Sequence, residues 1–132
     1  MDFYRENATN PKLEIEGRDV AYGSDVTLKI ARAGNKAYNR IFAKLYKQNA
    51  VALKAGGDAS EAIAEGIYLD AEAQTILLGW TGPVKFDGKD FPYSTENAKK
   101  VLGIENFRKF VLEQAADFEG YKLHQAAEVE KN

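Results

Sequence analysis

The chain has no cysteine, and that absence removes disulfides, thiolate nucleophiles and cysteine-ligated zinc together. Histidine is nearly as scarce. The one residue, His124, lies near the end of the chain, so a Ser-His-Asp arrangement would hang from a fraying terminus. No apolar run approaches the roughly 18 residues that a membrane helix needs, and the Met1 end carries no basic-then-apolar leader. These absences make a cytoplasmic, membrane-free protein the expectation. Asn7-Ala8-Thr9 matches a glycosylation acceptor, but no secretion signal accompanies it. Carboxylates are plentiful, yet a turn accounts for Asp87 and Asp90, and a solvated helix face for Glu61 and Glu65. Gly56-Gly57 is not followed by Lys-Ser or Lys-Thr, so it is no phosphate loop, and no His/Asp/Glu group has metal-ligand spacing. Neither an enzyme nor a cofactor or metal site is expected.

What is present is an ordinary composition: 132 residues, 45% apolar and 29% charged, with a net charge of −2. A chain of this size buries roughly two-thirds of its unfolded surface in one domain without a metal or disulfide. Residues 12–16 alternate Leu13 and Ile15 with charge, and residues 26–31 place Val26, Leu28 and Ile30 on one face. Both have the period of two of half-buried strands, and they are expected to pair. Asn35 then caps a helix over residues 36–53, in which Ala37, Tyr38, Ile41, Phe42, Leu45 and Tyr46 form one apolar stripe. Asp58-Ala59-Ser60-Glu61 resembles a capping box, and Ile63, Ile67, Ala71 and Leu78 carry a second helix to about residue 78. Gly66 inside it costs about 1 kcal/mol relative to alanine.

The densest information lies in residues 80–103. Asp87-Gly88 between Val84-Lys85-Phe86 and Lys89-Asp90-Phe91 predicts a two-residue hairpin turn, with Pro83 and Pro92 at its ends. Ser94 is the expected cap of a short helix ending in a left-handed Gly103. A last helix is expected over residues 105–124, with Phe107, Phe110, Val111, Ala115 and Phe118 on one face. The whole reads as a mainly helical α+β single domain spanning residues 1–132, with short N-terminal strands and a small β-hairpin, and with residues 1–11 and 125–132 expected to be flexible.

Trp80 follows an apolar run, so the bland expectation is a core indole whose N–H finds a carbonyl. The functional alternative keeps a ring edge at a partner surface, and makes Trp80, Phe86, Phe91 and Tyr93 binding candidates. Charge order is the other unusual feature. Residues 26–57 hold seven basic side chains and no acidic one, whereas residues 55–84 hold five acidic side chains and no basic one. Lys36, Arg40, Lys44 and Lys47 recur at helical spacing and form a ridge. That ridge can face the acidic helix, meet an acidic protein partner, or contact phosphates; the first is the expectation, and nucleic acid is disfavoured by the acidic balance.

A Trp-x-Gly, the Asp-Gly hairpin, the run Tyr93-Ser94-Thr95-Glu96-Asn97-Ala98 and a final amphipathic helix together resemble the tail assembly chaperones of long-tailed (siphovirus-type) bacteriophages. Ile30-Ala31-Arg32-Ala33-Gly34-Asn35 before a Tyr-bearing helix is similar to the same family, and the likeness runs over residues 24–118. The resemblance implies a non-catalytic protein of the infected bacterium's cytoplasm that is missing from the mature virion. Such a protein binds the tape-measure protein, keeps it soluble and helps recruit the major tail-tube protein, and a homo-oligomer is compatible with that role. The alternatives are a structural neck or tail protein retained in the virion and a small nucleic-acid-binding regulator.

Overall fold

Asn10 sets the first element of consequence. In a computed structural model of the chain, which describes residues 1–123, the Asn10 side chain accepts from the Lys12 and Leu13 amides. Pro11 occupies the first helical turn, and Pro11–Glu16 is a helix, α2, after a short α1 over Phe3–Asn7. This corrects the strand expected at residues 12–16. An Asn cap with proline behind it is a stronger local instruction than one alternation of Leu13 and Ile15. The strand that pairs with Val26–Ile30 (β2) is instead Arg18–Tyr22 (β1), antiparallel and with Val20 opposite Leu28.

Asn35 caps α3 (Lys36–Gln48) as expected, accepting from the Tyr38 amide at 2.9 Å. The helix stops before residue 53. Asn49 leaves helical geometry, its side-chain amide donates to the Leu45 carbonyl, and a separate α4 (Ala50–Lys54) follows. The next helix, α5, spans Gly57–Thr75 and starts without a side-chain cap. The Asp58 capping box is therefore absent; Ser60 uses its hydroxyl to donate to the Leu53 carbonyl and ties α4 to α5. Residues 76–78 also leave the expected helix, because Leu77–Thr81 forms β3 at the far side of β2. A short apolar run does not distinguish buried helix from buried strand, and here the open edge of β2 decides. Leu78 is bulged out where the register jumps from Lys29 opposite Gly79 to Ile30 opposite Leu77.

Beyond β3 the sequence signals hold. Asp87 and Gly88 both have positive φ, 51° and 78°, between β4 (Lys85–Phe86) and β5 (Lys89–Asp90), the geometry of a two-residue turn. Ser94 accepts from the Asn97 amide and starts α6, Thr95–Leu102. Gly103 is not left-handed, however. It stays in the right-handed region, and α6 closes through the Gly103 amide to Lys100 and the Ile104 amide to Val101. The last helix, α7, is shorter than expected: it covers Glu105–Ala116 and passes at Asp117 into a single 3₁₀ turn, Phe118–Tyr121. His124 and the tail over residues 125–132 lie outside the described residues.

The core forms where the sheet meets α5, α6 and α7: Leu28, Ile30, Ile76, Leu77, Ala98, Leu102, Val111 and Ala115 are buried there. Tyr121 is fully buried beside it and donates its hydroxyl to the Ile30 carbonyl at 2.8 Å. The segment before β1 is bolted to the same turn, with Thr9 bridging Lys122 and the Asn10 amide donating to the Tyr121 carbonyl. The result is a helical α+β domain whose hairpin and three-stranded sheet flank one cleft.

An apolar groove between sheet, hairpin and helix

β3 delivers Trp80 to the sheet face in the row Val20, Leu28, Trp80, and the hairpin returns Phe91 over it. The two rings stack at 5.7 Å, Tyr93 meets Trp80 edge-on at 5.0 Å, and Phe86 leans on Phe91 at 5.0 Å. Polar atoms in the cluster are satisfied internally. The indole N–H donates to the Phe91 carbonyl at 3.0 Å, as expected of a core Trp, and the Tyr93 hydroxyl donates to the Leu77 carbonyl at 2.8 Å. Burial raises the Tyr93 pKa, with the Thr95 hydrogen bond acting the other way. The Lys100 ammonium lies 4.5 Å from the Phe86 ring centre, a cation–π contact that fixes the outer ring of the cluster.

These aromatics form one wall of a groove of about 650 Å³. Tyr22, Val26 and Leu28 supply the sheet side, and Val101, Ile104 and Phe107 close it at the α6–α7 corner. Tyr22 is 41% exposed and Ile104 46%, so apolar surface remains open to solvent at both rims. The Tyr22 ring packs against Phe107 and Phe110, at 5.4 and 4.9 Å, which anchors its base and leaves its edge free. Four of the eight candidate residues thus converge: Trp80, Phe86 and Phe91 line the groove, and Tyr93 braces Trp80. Lys36, Arg40, Lys44 and Lys47 contribute nothing to it.

Tyr22, Ile104 and Phe107 were not among the candidates. Phe107 lies on the apolar face expected of the last helix, and Tyr22 alternates with Val20 in β1, a signal that the competing alternation at residues 12–16 obscures.

The ridge does not face the acidic helix through ion pairs. Three of the five carboxylates of α5 turn instead to the C-terminal helices: Glu72, 3% exposed, accepts from Arg108 Nε and Nη2 at 2.8 Å each, Glu65 takes the same guanidinium at 3.1 Å, and Asp70 pairs with Lys99 at 2.9 Å. The Arg108 pKa rises, first through its hydrogen bond to Glu72. Between α3 and α5 the contact is aromatic, with Phe42 5.2 Å from Tyr68, and the four ridge cations are exposed with no ion-pair partner among the described residues. A second depression of about 760 Å³ lies beside Arg108, but its arginine is already committed to Glu65 and Glu72. Among the described residues no group of three or more His, Cys, Asp or Glu could hold a metal ion, and no helix is long and apolar enough to cross a membrane.

Comparison with known families fixes the origin of the chain. Residues 33–132 match the family model described as YdaY prophage protein, and the chain belongs to that family. It is a phage-derived protein. No curated protein and no solved structure matches it.

Proposed function

We propose that this YdaY-family protein is a non-catalytic assembly chaperone of a phage tail, which shields the long tape-measure protein before the tube encloses it and helps bring tail-tube subunits to it in the host cytoplasm. The observation that carries the reading is the groove. Its walls are Tyr22, Phe86, Phe91, Ile104 and Phe107, with an indole at the base whose N–H is bonded to the Phe91 carbonyl, and Lys85, Asp87 and Asn106 are the polar residues of its lining. An apolar channel of this kind accepts the hydrophobic face of an amphipathic helix, and an elongated helical protein with such faces aggregates unless they are covered. Phage origin and the resemblance of residues 24–118 to tail assembly chaperones support the same conclusion.

Ile104→Asp is the discriminating variant. Ile104 occupies the N-cap position of α7 without a side-chain cap, so aspartate there supplies a missing cap while placing a carboxylate in the apolar rim. Co-expressed with the tape-measure protein of its own prophage, the unmodified protein should keep that protein soluble. The variant should be at least as stable and fail to do so. Equal solubilisation by both would remove the groove from the function, and stoichiometric recovery of the protein from intact particles would make it a structural tail component.

A further inference from the structure

The second exposed surface is chemically unlike the groove, and it sits on α3. Over its 13 residues this helix has no acidic side chain, and Lys36, Arg40, Lys44 and Lys47 form a stripe about 16 Å long at 1.5 Å per residue. Elsewhere many cations have partners: Lys29 has Asp19, Arg32 has Glu14, Lys99 has Asp70 and Arg108 has Glu72. Lys12, Lys54, Lys89 and Lys109 also lack an ion pair among the described residues, but they lie on four different elements and form no row. The α3 stripe has none among the described residues. It also works against its own helix, because cations repel at three- and four-residue spacing and Lys36 stands at the positive end of the helix dipole. A local rule broken without internal compensation points to compensation from outside.

We propose that the solvent face of α3 docks an acidic, amphipathic helix of a protein partner. Carboxylates at four-residue intervals on a helix repeat every ~6 Å, the same rise that separates Lys36, Arg40 and Lys44, so a helix laid alongside places one carboxylate per cation. Ala43, small and exposed beside the stripe, lets the partner's backbone approach. Nucleic acid fits less well. The chain is net negative, and the exposed aromatic of α3, Tyr46, lies on its other flank, stacked toward Phe42, where it cannot take a base between the cations. A second copy also fits less well, because the matching acidic row of α5, Asp58, Glu61 and Glu65, has its third member held by Arg108. This inference is independent of the groove.

The test measures fluorescence anisotropy with three probes: a synthetic helical peptide with glutamate at every fourth position, a peptide of equal composition with its glutamates in one block, and a short duplex DNA. Regularly spaced glutamates should bind about tenfold more tightly than the block, and Lys36→Glu with Arg40→Glu, Lys44→Glu and Lys47→Glu should cost that peptide at least about tenfold. The same four positions changed to glutamine should give an intermediate loss, with far-UV circular dichroism checking that each variant is folded. Equal peptide binding by the reversed and unmodified proteins would overturn the proposal. So would tighter binding of the duplex, with a salt slope that falls by about one for each cation removed, or salt-sensitive self-association that the reversal abolishes.

Discussion

Two neighbouring helices carry opposite charge runs, and the fold treats them in opposite ways. Three of the five carboxylates of α5 are paired: Glu72 is buried under a two-pronged Arg108, Glu65 shares that arginine from the surface, and Asp70 holds Lys99, while Asp58 and Glu61 stay exposed. The cations of α3 are left in water, and the α3–α5 contact is made by Phe42 and Tyr68. Complementary runs in a sequence therefore need not meet. Side chains pair where apolar packing has already placed the backbones, and the stripe of Tyr38, Phe42 and Tyr46 faces away from the ridge on α3. One charged helix stabilises the domain, and the other is available to something else.

The sharpest way to test that contrast is to remove Arg108. Arg108→Ala leaves Glu72 buried and unpaired, and should cost about 3 kcal/mol in urea denaturation, the low end for breaking a buried pair because the guanidinium keeps part of its surface in water. Combining Arg108→Met with Glu72→Leu should return stability to within about 1 kcal/mol, since the penalty comes from the orphaned charge rather than from lost attraction. A loss below about 0.5 kcal/mol for Arg108→Ala would mean that α5 is no better compensated than an exposed surface pair.

The sequence disclosed one half of this contrast. Signals confined to a few neighbours were legible: Asp87-Gly88 for the hairpin, Ser94 and Asn35 as caps, and the indole N–H seeking a carbonyl. The failures come from competition or distance. At residues 12–16 an Asn-Pro cap outweighed an alternation, and at residues 76–78 the open edge of β2 outweighed a helical apolar period. Arg108 reaches Glu72 across 36 positions, and the groove needs Tyr22 from the sheet beside Phe107 from α7, pairings that no local pattern encodes. Four aromatic candidates did converge, because β3, the hairpin and the start of α6 follow one another with little intervening chain.

Lys36→Glu probes the other helix and should act in the opposite direction. Lys36 is the first residue of α3, so glutamate there faces the positive end of the dipole and gains Arg40 one turn on. We expect a gain of about 0.5–1 kcal/mol in thermal unfolding. A loss would reveal an internal partner for Lys36. On the acidic side, Lys99→Ala removes an ion pair with Asp70 whose two side chains keep substantial exposure, and should cost only about 0.5 kcal/mol in urea denaturation. A cost near that of Arg108→Ala would show that burial of Glu72 is not what separates the two pairs.

The smallest effect is expected where the sequence contrast is greatest. Reversing Lys36, Arg40, Lys44 and Lys47 to glutamate keeps the same like-charge spacing with the sign inverted, so repulsion along α3 is unchanged. The dipole gains at Lys36 and Arg40 are offset by losses near the C-terminal end at Lys44 and Lys47. With no ion pair to break among the described residues, the unfolding free energy should move by less than about 0.5 kcal/mol, as for ordinary surface substitutions. If α3 and α5 did compensate each other in solution, four broken pairs would lower the thermal midpoint measurably, and reversing Asp58 and Glu61, the α5 carboxylates that Arg108 and Lys99 do not hold, to lysine in the same protein would partly restore it. A silent reversal that nonetheless abolishes binding of a regularly spaced acidic helix would separate the two charge runs by function, since only the α5 run would then be required for folding.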